Sequence, residues 1–309
     1  MTLTIKHLSL TLCVYLMTFS CHAQEDIQSQ LIQKFKQGQY STKGADTCLQ
    51  CHGRNQQVNA IFNSPHGSVD TADSPMTKLQ CETCHGPKGK HRGKNEAMIS
   101  FGKQANVSAE LQSSVCLSCH QNSQRNEWHG SRHDFADVAC SDCHQIHTAQ
   151  DLLLTPEGEI ETCRNCHSNQ VADMNKRSAH PMAGLHAGSD MRCTSCHDVH
   201  GSLTQSSLNE FSLNDTCYRC HAEKRGPLLW EHAPVTENCI GCHSAHGSVN
   251  DAMLKRRAPQ LCQSCHATDD HASRVYDGQS SSFVAGQSCL NCHNQVHGSN
   301  HPSGSLLEK

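Results

Sequence analysis

The sequence predicts a fold of short α-helices and loops with little or no β-sheet, and three observations carry that expectation. First, the tripartite signature Cys-x-x-Cys-His recurs ten times in 309 residues. Second, aromatic residues make up only 4% of the chain, and the segments between signatures are rich in Gly, Ser, Asn and Asp, which reads as loop. Third, successive signatures start 33, 35, 24, 23, 30, 24, 22, 23 and 27 residues apart. Steps that short favour an elongated array in which each unit touches its sequence neighbours.

The ten copies are Cys48-x-x-Cys51-His52, Cys81-x-x-Cys84-His85, Cys116-x-x-Cys119-His120, Cys140-x-x-Cys143-His144 and Cys163-x-x-Cys166-His167, then Cys193-x-x-Cys196-His197, Cys217-x-x-Cys220-His221, Cys239-x-x-Cys242-His243, Cys262-x-x-Cys265-His266 and Cys289-x-x-Cys292-His293. The signature attaches c-type haem: two thiols form thioethers with the porphyrin, and the adjoining histidine ligates iron. Zinc knuckles, thioredoxin-like redox pairs and disulfide frameworks leave the histidines unexplained. With 25 histidines in the chain, ten coincidental followers would arise at a rate on the order of 10^-11, whereas haem attachment requires all of them. The fold class is therefore a multihaem cytochrome c, built around an elongated chain of ten covalently bound haems c.

Each signature is expected in a short helical turn that brings both thiols and the histidine to one porphyrin edge. Residues 26 to 37 have Ile27, Leu31, Ile32 and Phe35 on one side, with Gly38 to end them, and predict an amphipathic helix. The sparse apolar content is too small for an ordinary core. Porphyrins would supply the missing apolar surface, so the chain is expected not to fold without them.

Ten signatures use 20 of the 22 cysteines, and the others, Cys13 and Cys21, lie in a leader. Lys6, an apolar run from Leu8 to Phe19 and Cys21-His22-Ala23 read as a secretory signal peptide cut after Ala23. Lipidation at Cys21 is the weaker reading, because Thr18 stands where lipoprotein signals usually carry leucine. The apolar run is too short to span a bilayer, and no second one exists. This predicts a single elongated domain over 24–309, exported to the periplasm of a bacterium, with no direct membrane span. Net charge is −4 for the whole chain and −5 once Lys6 leaves. Haem propionates and ferric centres take it to about −15 oxidised and about −25 reduced, which excludes nucleic acid as a partner.

Thirteen histidines of the mature chain lie outside the signatures. Even-numbered signatures four, six, eight and ten are closely followed by His147, His200, His246 and His297, and signature two more distantly by His91. At least one free histidine lies between each odd signature and the next even one, which divides the chain into five two-haem units. His66, His133 and His180 share a Ser-x-His form, so His133 is preferred to His129 and His180 to His186. His232 and His271 stand unopposed. His297 is preferred to His301, because it repeats the His-Gly-Ser seen at 66–68, 200–202 and 246–248. These ten are the candidate second ligands, and surface roles suit His129, His186 and His301. An iron with two histidines has no open position, which suits electron transfer and argues against an enzyme. Met76, Met98, Met174, Met182, Met191 and Met253 show no matching period and read as packing.

The chain resembles the decahaem periplasmic cytochromes of the MtrA/DmsE family. The resemblance rests on the ten signatures after a leader, on Trp128-His-Gly-Ser-Arg-His133 followed by Val138-Ala-Cys-Ser-Asp-Cys-His144, and on Ser178-Ala-His180-Pro. It covers Thr47 to His297, with the stretch from signature two to His91 its irregular place. It implies an electron conduit seated in a porin-like outer-membrane β-barrel. Such a conduit would link a periplasmic or inner-membrane quinol-linked cytochrome donor to an extracellular multihaem cytochrome or a dimethyl-sulfoxide-type reductase. A freely diffusing periplasmic electron shuttle and a multihaem oxyanion reductase are the alternatives. The first would bind no barrel, and the second needs an iron that lacks its second histidine.

Overall fold

The computed structural model describes residues 29, 32–91, 96–122, 125–266 and 288–308. The leader, most of the apolar positions in 26–31 and His271 lie outside these. Among the described residues there are short helices and isolated β-bridges but no strand. The chain divides into two compact bodies, Met1–Leu154 and Thr155–Lys309. The division falls between the second and third two-motif units, leaving four signatures in the first body and six in the second.

Odd and even signatures are built differently. Each odd signature closes an α-helix: α1 is Ala45–His52, α2 Ala109–Leu117, α3 Pro156–Arg164, α4 Leu213–Tyr218 and α5 Ala258–Cys262. The starts follow ordinary capping chemistry. Ser108, Thr155 and Ser212 accept backbone N–H groups of the first turns of α2, α3 and α4, and Pro156 and Pro259 occupy early helical positions where no N–H is needed. Even signatures sit in isolated turns: Cys81–His85 and Cys140–Cys143 are α-helical, while Cys193–Ser195, Cys239–Gly241 and Cys289–Asn291 are 3-10. In both types the histidine N–H donates to the carbonyl of the first cysteine, as in His167 to Cys163 at 2.8 Å and His293 to Cys289 at 2.9 Å. One helical turn therefore aligns thiols and imidazole.

The two signatures of a unit are clamped by polar side chains that precede the odd one. Glu159, four residues before Cys163, is buried and accepts Thr194 N–H at 3.0 Å. Gln112, four before Cys116, accepts the Ser141 hydroxyl at 2.8 Å. Asn214, three before Cys217, accepts Cys239 N–H at 2.9 Å and donates to Val235 and Thr236 carbonyls. In the first unit the direction reverses: Glu82, inside the even signature and 1% exposed, accepts Ser41 and Lys88 N–H groups.

Among the described residues the buried apolar side chains form two small clusters, with a few others buried singly. Ile160, Val171, Met174 and Met182 form one, and Ile99 with Leu111 forms the other. Residues 32–37 are helical, Gly38 N–H closes the turn on Lys34 O at 2.7 Å, and Phe35 packs on the Ile99 cluster. Met174 and Met182 lie in the first cluster, and Met76 is buried as well. Trp128 and Ile61 are buried singly, whereas many other large apolar side chains are exposed, with Phe135, Leu203 and Phe211 at 82%, 90% and 93%. Polar bracing, more than apolar burial, holds the paired signatures of the first four units together.

Asn214→Ala should therefore be costly despite the small side chain. It strands Cys239 N–H and two carbonyls, and a loss of about 1–3 kcal/mol is expected. Thermal unfolding of the holo-protein checks this; an unchanged midpoint would show that the clamp is dispensable.

Candidate haem sites

Within every unit the first cysteines of the two signatures meet. Cys48 hydrogen-bonds Cys81, Cys116 bonds Cys140, Cys163 bonds Cys193, Cys217 bonds Cys239 and Cys262 bonds Cys289. In the first two units these thiol contacts split the pair electrostatically. The hydrogen bond from Cys48 holds Cys81 down to about 7, and that from Cys116 holds Cys140 down to about 6. Burial pushes Cys217 up to about 12 and Cys262 up to about 11, the neighbouring thiol adding to it. Between units, second cysteines act on one another: burial raises Cys84 and Cys196, and Cys119 and Cys220 respectively add to it. Consecutive signatures in each body are thus neighbours in space.

The histidine rings pair in a register that the spacing does not reveal. His66 lies 5.9 Å from His120, His85 6.2 Å from His147, His180 6.4 Å from His221, His197 6.2 Å from His246, His232 6.1 Å from His266 and His243 6.1 Å from His297, centroid to centroid. Every pair joins a signature histidine to a free one, and the partners come from adjacent units. A free histidine lying before an even signature faces the odd signature of the following unit. One lying after an even signature faces the even signature of the preceding unit. His85 accordingly faces His147, not His91, whose Nδ1 bonds Glu96 O at 2.7 Å.

The separation matches one metal between two rings. Imidazole nitrogen–metal bonds run about 2.0 Å and a ring centroid lies roughly 1.2 Å behind its nitrogen, so two imidazoles across one iron stand about 6.4 Å apart. The protein also fixes which nitrogen is offered. Nδ1 of His85 donates to Ile99 O at 2.7 Å, His147 to Val58 O at 3.2 Å, His180 to Ala245 O at 3.0 Å, His197 to Ser206 O at 2.9 Å, His232 to Val296 O at 3.0 Å and His243 to Ala252 O at 2.8 Å. A carbonyl only accepts, so Nδ1 carries the proton and Nε2 keeps the lone pair a metal needs.

Two pairs of the free histidines have their loops locked together. Ser178 and Ser248 exchange both backbone hydrogen bonds, 3.0 and 2.7 Å, which couples the turn of His180 to that of His246. Trp230 and Ser299 do the same at 2.9 Å each, coupling His232 to His297. Gly247 and Gly298 have φ of 135° and 114°, and a Cβ at Gly247 would meet Asp173 O at 2.2 Å. The glycine of His-Gly-Ser is thus demanded by backbone conformation and close approach.

The remaining candidates occupy a range of settings. His133 is half-buried in the single turn Arg132–Phe135, and His200 is half-buried with its N–H on Asp198 Oδ1 at 3.0 Å. His144 and His293 direct Nδ1 to Asp151 and to Leu306 O. His129 is exposed, and His186 and His301 accept local loop N–H groups through Nδ1. The second-ligand candidate His271 lies outside the described residues. Sequence reasoning missed the carbonyl acceptors and the buried clamps Glu159, Gln112 and Asn214. Only their position three or four residues before an odd signature could have pointed to the last three.

Family models place the rest. The "Doubled CXXCH motif" matches residues 186–226 and 232–271, "Cytochrome c-type protein NrfB-like" matches 81–166, and "Cytochrome c554 and c-prime" matches 17–86. The multiheme cytochrome MtrA of Shewanella baltica (strain OS185) is 58% identical over 294 residues, covering 92% of this chain and 87% of the relative. The chain belongs to the MtrA family of multihaem cytochromes. The cytochrome c-type protein NrfB of Escherichia coli O6:H1 is 33% identical over 135 residues, 41% of this chain and 68% of its own length. As a member of that family the chain binds haem c and transfers electrons; it is not an enzyme.

Burial favours the neutral, ligating form of several rings. His66, His85, His120, His246 and His297 are all held below the ordinary imidazole value, burial first, with His120 adding at His66 and His197 at His246. At His297 Lys224 and then His243 add to burial, and at His85 the bond to Ile99 opposes part of it. A depressed imidazole value contributes stability above the unfolded value of about 6.5, and that contribution is lost as pH falls through the lower folded value. The thermal midpoint should drop between about pH 6.5 and pH 5, before carboxylates protonate. A flat midpoint across that window would count against neutral, buried imidazoles.

Proposed function

We propose that the chain carries ten haems c in five two-haem units, each iron held by two histidines, and works as a periplasmic electron conduit. The observation that carries this reading is the set of six ring pairs, each joining a signature histidine to a free one at iron-spanning distance. In this reading His66, His147, His180, His232, His246 and His297 are the second ligands of the haems attached at signatures three, two, seven, nine, six and eight. His91, His133, His200 and His271 are the candidates for the other four. Exposed Phe135, Leu203 and Phe211 then pack on porphyrin faces. Saturated irons disfavour an oxyanion reductase, because substrate would find no open position.

The route is proposed from the family. Electrons would enter from a periplasmic or inner-membrane quinol-linked cytochrome, pass along the haems through an outer-membrane β-barrel, and leave to an extracellular multihaem cytochrome or dimethyl-sulfoxide-type reductase. Among the described residues no helix is long and apolar enough to cross a membrane. A chain without such a helix would depend on a partner's closed barrel to conduct across one.

His147→Gly tests the ligation. It should leave the haem at Cys81 and Cys84 with one axial ligand, visible as one high-spin centre and one bound carbon monoxide per reduced protein. Full low-spin character would show that His147 is not a ligand. Affinity purification from detergent-solubilised outer membranes tests the route. The conduit requires an approximately equimolar β-barrel, and electron delivery from outside to a dye sealed in liposomes bearing the complex. A haem-loaded protein that never retains a barrel would leave the freely diffusing shuttle.

A further inference from the structure

The even-numbered signature histidines differ in what holds the ring on the side away from Nε2. Nδ1 of His85, His197, His243 and His293 donates to a backbone carbonyl, of Ile99, Ser206, Ala252 and Leu306, at 2.6 to 2.9 Å. At His144 a carboxylate takes that place: Asp151 Oδ2 lies 2.7 Å from Nδ1. The Asp151 side chain is 15% exposed. Its Oδ1 accepts Leu153 N–H at 3.2 Å and its carbonyl accepts Leu154 N–H at 3.0 Å, so the 3-10 turn Leu152–Leu154 fixes it. Other carboxylates approach signature histidines less closely, Glu223 at 3.7 Å from His221 and Glu308 at 3.8 Å from His293.

A peptide carbonyl is a neutral dipole, whereas a carboxylate carries a full charge on the accepting atoms. Bonded to Nδ1–H, it draws the proton away and leaves more electron density on Nε2. A more basic axial nitrogen and a nearby negative charge both stabilise ferric over ferrous iron. We propose that Asp151 is a positioning residue that sets the potential of the haem at Cys140 and Cys143, holding it below those whose signature histidine bonds a carbonyl. This rests on His144 being an iron ligand through Nε2. Electrons would then dwell less on this haem than on those.

The test is potentiometry of the full haem-loaded chain, followed optically and by low-temperature electron paramagnetic resonance, for the unaltered protein, Asp151→Asn and Asp151→Glu. Haem content is first established by mass; fewer than ten low-spin haems in the unaltered protein would refute the ligation reading and not this inference. Asp151→Asn keeps a hydrogen-bond acceptor without the charge. It should move one of the ten components upward by about tenfold in its oxidation equilibrium, ~59 mV for one electron. The other nine should stay in place, and Asp151→Glu should restore the original profile. Unchanged components in Asp151→Asn, a downward shift, or an equal shift in Asp151→Glu would overturn the proposal. So would loss of the haem at Cys140 and Cys143 from Asp151→Asn, which would make the residue a structural support.

Discussion

The interaction on which the rest of the structure depends is a pair of imidazole rings about 6 Å apart, contributed by different two-motif units. A chain with so few buried apolar residues cannot define its tertiary arrangement by core packing. Instead, within each body a unit extends a histidine to the odd site of the unit after it, or to the even site of the unit before it. Where two such arms cross, the Ser178–Ser248 and Trp230–Ser299 bridges tie them together. Stitching of this kind makes neighbouring units interdependent: a lost arm weakens a site in another unit and frees a backbone bridge at once. Units in such an array are coupled chiefly through nearest-neighbour interfaces. With the irons in place, metal–ligand bonds would become part of the folding free energy.

Much of this was legible in the residues. Short helices and, among the described residues, the lack of strands followed from Cys-x-x-Cys-His and from the Gly-, Ser- and Asn-rich spacers. The division into units also has a physical basis that alternation only hinted at: odd signatures end capped helices, even ones sit in isolated turns, and their first thiols touch. The direction of the histidine arms was hidden, because a free histidine is nearer in sequence to the wrong signature. His147 follows His144 by three residues and yet faces His85. Local spacing encodes the turn that presents a histidine, and only the tertiary path decides which signature it faces.

The His-Gly-Ser repeat shows where likeness in letters misleads. At 246–248 and 297–299 the glycine takes positive φ and the serine forms the bridge to the neighbouring arm. At 66–68 the same letters lie at a 3-10 turn, with Pro65–Gly67 helical and capped by the Ser64 hydroxyl. Yet His66, like His297, meets a signature histidine of an adjacent unit. The two local conformations serve opposite directions of travel, His66 forward to the next odd site and His297 back to the previous even one.

Charge and hydration explain why polar clamps can stand in for a core here. Glu82 and Glu159 are buried, a costly placement for a carboxylate unless its oxygens are satisfied. Backbone N–H groups supply partners to both, and at Glu159 the Thr194 hydroxyl and, at 3.6 Å, the Arg192 guanidinium add to them. Each clamp spans two signatures, so satisfying the carboxylate and fixing the relative position of two attachment sites are one event. An apolar contact of the same size would hold the turns together without fixing their orientation, since hydrophobic burial is non-directional. Electron exchange between closely spaced cofactors depends on orientation and edge distance, and directional bonds between a few buried groups set both more sharply than packing could.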